Sequence, residues 1–553
     1  MYPKSHLLFI IPFLLIFCLQ ACKDQETSNG NKNNDSFFEK SVVDIETLKN
    51  TIKEQVGSSS TVIPQILQKD SVTKLEDFAS AYALNNYEPF WLQKTGLSNF
   101  CTIYLQELDS LQYDGLNPED YNFSELQKKS ESIIKNSTSS ISDLTEFEFL
   151  MTHSFFRSAS DLVLGKLSGP AIYKDWKNKN DTLFKVASTL VAAMSSSDFK
   201  TNFDSLRPNH IWYKKFRNEY LRLDQIEKKG GWQSFTELKD SIALGYSSES
   251  VRKLRQRLHT EIGLPLDTSS IIWQEDIQSA LQKFQHSHQL KATGKLDTST
   301  LKRLNKGVTE KKNTLALNME RLRWMRQNFS QPFIWVVIPK MELDYYEKDS
   351  VQFNMRVVVG RTARPTPSLD SKVENIVFSP PWTVPPTIMK EEVVPGIARR
   401  GGSYLARRGL KAYRGGKLVN PSQINSKNYR MFSIGQAPGY RSSLGEVKFN
   451  MINPWAIYLH DTPHREDFVK TYRAYSSGCI RVHHPKEFAE FLLQDSTNYS
   501  YQKIDSICKK RQTIFVPMKR NINVHVVYLT NALDSVGNVM YLKDIYNWDE
   551  KMN

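Results

Sequence analysis

The segment Tyr458–Pro485, YLHDTPHREDFVKTYRAYSSGCIRVHHP, sets Cys479 behind a glycine and ahead of a strand-like Ile-Arg-Val, with four histidines in the same stretch: His460, His464, His483 and His484. A thiol so placed is either a packing residue or a nucleophile. An ordinary cysteine, with a pKa of about 8.5, is only a few per cent thiolate at neutral pH, so a catalytic one needs a base or a positive field beside it. Histidine supplies the base. His483 and His484 lie just beyond the strand that carries Cys479, toward the next helix, and His464 follows Pro463 in a loop. His460 ends its own predicted strand, AIYLH, and lies beside Cys479 if the two strands pair, which favours it on geometry. Gly478 lets the backbone approach a substrate carbonyl closely, and the N–H groups of Gly478 and Cys479 are expected to form an oxyanion hole. Arg481, two residues beyond Cys479 on the same strand face, either binds a substrate carboxylate or forms a structural ion pair.

Three regions must position this chemistry. From about Asp44 to Gly245 the apolar residues recur at three- and four-residue steps, as in EFEFLMTHSFFRSASDLVLGKL, and predict a helical scaffold over 44–245. Within it the aromatic pair of YEPFWLQKTG is expected in the core. Residues 247–307 contain three short amphipathic helices punctuated by Gly263-Leu-Pro and Thr293-Gly294. Their expected core is Leu254, Leu258, Ile277, Leu281, Phe284, Leu290, Leu296, Leu301 and Leu304. From Leu317 the period turns from helical to alternating, and FIWVVIP, MELDYYEKD, VQFNMRVVVG, AIYLHD, GCIRV, TIFVPM, NVHVVYLT and VMYLKDIY read as strands of a β-rich domain over 317–553. A single helix, HPKEFAEFLL, follows the cysteine strand, with Pro485 suited to its first turn. An insertion at 395–430 holds nine Lys/Arg, six Gly and no acid; it is poor material for a core and reads as a mobile, cationic surface lid.

Composition bounds the partners. With 553 residues, 40% apolar and 11% aromatic, the chain can bury several cores, and wholesale disorder is excluded. The net charge of +14 suits nucleic acid, anionic lipid or an acidic wall polymer. The first residues decide among these: Lys4, an apolar run from Leu7 to Leu19, then Leu-Gln-Ala-Cys ending at Cys22 predict an export signal over 1–21, cleaved at a lipobox with lipid on Cys22. Residues 22–43, polar and Asn/Ser-rich, are expected to be a flexible tether. The protein is thus expected at the periplasmic side of the cell envelope, lipid-anchored to a membrane, as a monomer without nucleic acid. Of the five cysteines, Cys101, Cys479 and Cys508 remain after the signal and the lipidation site. They are too few and too far apart for a disulfide framework or a zinc site, and no metal or cofactor is expected.

The motifs HDTP…SSGCIRV, SPPWTVPPTI and APGYRSSLGEVKFNM together resemble the L,D-transpeptidases of the YkuD fold, in their large multidomain branch, over roughly Phe90 to the C-terminus. The segment 247–307, with its ALQKFQ…TGKLD, resembles the three-helix peptidoglycan-binding module. The resemblance implies an α+β multidomain protein: helical scaffold, peptidoglycan-binding module and a β-rich catalytic domain in which 395–430 is a capping subdomain. It also implies a reaction. Cys479 attacks the carbonyl of the diamino acid in a donor tetrapeptide stem, expels D-alanine and forms a thioester, which the side-chain amine of an acceptor stem resolves into a 3→3 cross-link. Substrate-binding residues are then expected to be Arg481, Ser477, Tyr458, Trp382, Arg407 and Arg408. Many members of the family carry histidine where this chain has Ser477 and glycine where it has Asp461, which removes one histidine and strengthens His460 as base. Either Asp461 or a backbone carbonyl holds the tautomer of His460. The alternatives are an L,D-carboxypeptidase or cysteine peptidase acting on wall stems, since water also cleaves thioesters, and a wall-binding scaffold with an inactive site. The order His460 before Cys479 differs from that of papain-like peptidases.

Overall fold

A computed structural model describes residues 43–56, 74–135, 139–169, 184–232, 234–235, 244–325 and 329–552. The expected signal and the Cys22 lipidation site lie outside the described residues. The expected tether also lies outside them except for Val43, which is buried and donates its N–H to the Lys94 carbonyl at 3.0 Å. No helix among the described residues is long and apolar enough to cross a membrane.

The helical region is organised around α1 (Ile141–Leu164), whose Phe147, Met151, Phe155, Ala159 and Leu162 are fully buried along with Phe149 and Phe156 on its other sides. A helix buried around its whole circumference must be surrounded, and helices before and after it, as far as Leu206, enclose this core, whereas α2 (Ile211–Lys228) places Trp212, Tyr213, Phe216 and Leu223 in a second cluster with Trp335. The Phe90–Trp91 pair is core: both backbone N–H groups donate to buried Glu148 of α1, and Trp91 Nε1 donates to Thr152 at 2.9 Å.

Three helices follow, α3 (Glu249–Ile262), α4 (Glu275–Ser287) and α5 (Thr298–Leu304), started by Ser248 and Asp297 side-chain caps on α3 and α5. Their core contains Leu254, Leu258, Ile277, Leu281, Phe284, Leu296 and Leu304, with Leu301 packed against its edge. Leu290 stands outside this cluster, and Val251, Trp273, Ala280 and Phe235 complete it. The change of period read at Leu317 is displaced, because α6 (Val308–Arg323) runs through it and Leu315, Met319 and Leu322 keep helical spacing on one packed face. The strands of the C-terminal region begin only at Phe333.

The strands that carry the site are β1 (Phe333–Val337), β2 (Glu342–Glu347), β3 (Ser350–Gly360), β4 (Leu369–Phe378), β5 (Trp382–Thr383), β6 (Lys411–Arg414), β7 (Lys417–Val419), β8 (Ser433–Gln436), β9 (Val447–Met451), β10 (Leu459–His460), β11 (Ala474–Ser476), β12 (Ile480–Val482) and β13 (Ile514–Val527). The main sheet runs β11-β3-β12-β10-β9-β4-β13-β1-β2, and β2 pairs again with β3. Eight strands therefore close a circuit of pairings, with β11 laid along β3. Alternate residues on these strands face one core: Ile334 and Val336, Leu343, Val357 and Val359, Ile376 and Phe378, Val447 and Phe449, Leu459, Ile480 and Val482, Val524 and Val526. TIFVPM and NVHVVYLT, read as two strands, are the single β13. Helix α7 (Pro485–Leu493), with Pro485 at its first turn, is joined on this core by α8 (Tyr501–Lys509), a second helix that the sequence reading left out.

The insertion is folded, contrary to its reading as a loose lid. Strands β5-β8-β6-β7 form a separate four-stranded sheet, and Val384, Val393, Ile397, Leu405, Leu410, Ala412, Ile424 and Ile434 make a small core of their own. Its limits, Trp382 to Gln436, exceed 395–430 on both sides. Glycine here serves close packing: a Cβ on Gly402 would lie 1.9 Å from the Pro421 carbonyl oxygen.

Candidate active site

Cys479 immediately precedes β12 and His460 ends β10, and these two strands pair in parallel, with Leu459 opposite Ile480 and His460 opposite Arg481. Because Leu459, Ile480 and Val482 face the core, the alternation places Tyr458, His460, Cys479 and Arg481 together on the opposite face. The next strand adds Lys448, the cross-strand partner of His460 on β9. Two short parallel strands thus bring together a nucleophile and a base that are separated by a loop in the same segment of chain.

His460 is buried, and its Nδ1 lies 2.5 Å from the Asp461 carbonyl oxygen. That bond fixes the proton on Nδ1 and leaves Nε2 as acceptor. Burial, then the nearby positive charge of Arg481, lowers the imidazole pKa to about 3, so the ring is neutral at physiological pH. The two possible orienters of His460 are thereby decided in favour of the carbonyl. The Asp461 carboxylate turns the other way, accepting from the N–H groups of Glu446 (2.8 Å) and Thr462 (2.7 Å) and pairing with Arg465 at 2.8 Å.

The Cys479 thiol is half-buried and reaches the Ala456 carbonyl at 3.8 Å. Burial raises its pKa, and the neighbouring Tyr458 backbone and hydroxyl, then the charges of Lys448 and Arg481, act in the opposite direction. The Tyr458 hydroxyl is also a neighbour of Trp382 of the inserted subdomain, and its ring lies 5.5 Å from that of His460. Gly478 holds φ +114°, a region that side chains avoid, so the turn into β12 requires glycine. Its N–H, expected as an oxyanion donor, instead donates to Ser476 Oγ at 3.1 Å, while its carbonyl accepts from Thr366 at 2.7 Å. This peptide is locked by its own turn.

Arg481 pairs with Asp467 at 3.4 Å. Ser477 is exposed and accepts a 3.0 Å bond from Arg364, which also pairs with Glu391 and, at 3.0 Å, with Glu392, both within the inserted subdomain. Arg407 and Arg408 are exposed on the inserted subdomain, and Arg408 comes within 3.9 Å of Glu392. The structure therefore gathers Cys479, His460, Gly478, Tyr458, Arg481, Ser477 and Trp382, and leaves Arg407 and Arg408 at the periphery. His464 is exposed beside Glu466, and His483 stacks on Phe468.

Residues 331–505 match the YkuD family model, described as the L,D-transpeptidase catalytic domain. The protein carries an L,D-transpeptidase catalytic domain of the YkuD family. Two further models match ahead of it, the "Scaffold domain" at 76–219 and the "Putative peptidoglycan binding domain" at 247–304. A Haemophilus influenzae protein named "Putative L,D-transpeptidase" is 33% identical over 250 residues, 44% of this chain and 49% of that protein. The chain thus spans about half the length of this curated relative. Crystal structures of L,D-transpeptidases from Xylanimonas cellulosilytica and Stackebrandtia nassauensis are 14% and 12% identical, each over 53% of this chain and over 100% and 97% of theirs, with TM-scores of 0.19 and 0.20. In this L,D-transpeptidase domain the family match stops at 505, yet the sheet is completed by β13 beyond it. Lys448 is not among the residues expected from the sequence; the alternation of VKFNM, which puts Lys448 on the face of His460, is the signal that marks it.

Proposed function

We propose that the protein is a peptidoglycan L,D-transpeptidase that makes 3→3 cross-links through a thioester on Cys479. The observation that carries this reading is the parallel pairing of β10 with β12, which sets His460, with Nε2 free to accept, on the face that bears the thiol. The resting pair is thiol and neutral imidazole, so proton transfer accompanies attack. Sγ bonds to the donor carbonyl carbon as its proton passes to His460 Nε2. The tetrahedral adduct then collapses, the C–N bond to D-alanine breaks, and His460 returns the proton to the leaving amine. In the second half an acceptor amine attacks the thioester, gives its proton to His460, and expels the sulfur, which recovers the proton. With the Gly478 N–H engaged by Ser476, the Cys479 N–H is the donor we assign to the oxyanion. Stem carboxylates meet the Arg/Lys of the inserted subdomain, and lipid on Cys22 holds the enzyme at a membrane of the envelope.

The test is mass spectrometry of purified protein incubated with disaccharide-tetrapeptide. The expected products are a covalent adduct on Cys479, released D-alanine and a cross-linked dimer, all absent from Cys479→Ala. A tripeptide without dimer would make the protein a carboxypeptidase; cross-linking by Cys479→Ala would refute the mechanism.

A further inference from the structure

Lys448 carries a charge that this reaction leaves unused. It lies opposite His460 on β9, and its neighbour on the other side, Val377 of β4, is apolar. Its ammonium stands 4.0 Å from the centroid of the Tyr458 ring, and the hydroxyl of that ring neighbours Cys479. Among the described residues no carboxylate lies within 4.0 Å of the ammonium. The acids nearby in the sequence of the site are occupied: Asp467 by Arg481 and Lys470, Asp461 by Arg465, Glu446 by Lys486. A half-buried cation without a counter-ion is costly, and the cost falls when an anion forms within its reach. The titratable and charged groups on the face of the sulfur are Tyr458 just ahead of β10, His460 at its end, Arg481 from β12 and Lys448 from β9. Of the two cations, Arg481 already has a carboxylate.

We infer that Lys448 is the charge partner of the Cys479 thiolate. Braced on the Tyr458 ring, its ammonium offsets the negative charge that builds on sulfur as the proton passes to His460, and again as the thioester expels the sulfur. No bond to Lys448 forms or breaks. The inference rests on the reading of Cys479 as the nucleophile.

The experiment follows alkylation of Cys479 in the full chain by iodoacetamide across pH, read by mass spectrometry on the Cys479 peptide so that other cysteines do not contribute. Lys448→Met should slow alkylation about tenfold near neutral pH and move the midpoint upward by roughly one unit, the equivalent of that factor. Lys448→Arg should keep the wild-type profile, and Lys448→Gln replaces the Met variant if that one does not fold. The preference for anionic iodoacetate relative to iodoacetamide should fall in the Met variant and persist in the Arg variant. An unchanged midpoint and reagent ratio in Lys448→Met would overturn the inference, even if the donor KM rose, because Lys448 would then serve only substrate binding. If Cys479 shows the Lys448-dependent profile and yet no cross-linked product forms, the transpeptidase reading fails and this inference stands.

Discussion

A base with a pKa near 3 beside a thiol whose pKa is raised by burial defines the protonation state from which the enzyme starts. A preformed thiolate–imidazolium pair would need both shifts to run the other way. Alkylation of Cys479 should therefore keep accelerating with pH through the ordinary thiol midpoint of about 8.5. A plateau below pH 7 would contradict this starting state. His460→Ala should lower turnover with disaccharide-tetrapeptide by about 10²- to 10⁴-fold, the usual range for loss of a general base. His464→Ala should leave turnover near wild type, since His464 is exposed and faces Glu466. The sequence singled out Cys479 and His460 because strand patterns with a glycine turn are local signals. It could not choose between Asp461 and a backbone carbonyl as orienter, since the torsion angles that turn the Asp461 carboxylate away and its carbonyl toward His460 leave no mark in the sequence. Nor did it reveal Lys448, whose meaning depends on two strands brought alongside from elsewhere in the chain.

Among the elements, the insertion departs most from its sequence reading. Ile397, Leu405, Leu410, Ile424 and Ile434 form its core, yet they are spread among glycines and cations without either helical or strand period. Glycine suggested a hinge, whereas Gly402 is a packing point against Pro421. Gly402→Ala should thus loosen the subdomain, seen as faster proteolysis between Trp382 and Gln436 and a raised donor KM. The Cys479 alkylation rate should stay within about twofold of wild type, because β12 and β10 belong to the other sheet. Unchanged proteolysis would show that the Pro421 segment yields without cost. Strand β4 was also illegible: LDSKVENIVF mixes charges with apolar residues, although it lies centrally between β9 and β13. Its charged positions fall toward one end, and Ile376 and Phe378, at the other, enter the core.

The molecule is joined by an aromatic seam. Trp212 of α2 stacks on Trp335 of β1 at 4.3 Å, and Leu315, Met319 and Leu322 of α6 pack in the same cluster. The helical region and the catalytic sheet thereby share buried surface. Trp212→Ala should cost about 3–5 kcal/mol, measurable as a lowered midpoint of thermal unfolding. A separate early transition of the helices, with the catalytic sheet unaffected, would show instead that the seam does not couple the two. Helical and alternating periods foretold both regions, but not this docking, since its partners are distant in sequence. The closed circuit of strands bears on how the chain is made. As residues appear in order, β1, β4, His460 and Cys479 are all present before β13. Strands β1 and β4 are then the two bare edges of an open sheet, and β13 is the stave that joins them. Unpaired edges invite association with other chains. The nascent protein therefore passes through an interval in which its nucleophile exists but its sheet is adhesive. Chains cut short before Ile514 should accumulate as aggregates rather than as a weaker enzyme, and synthesis speed over the final strand should govern the yield of soluble protein.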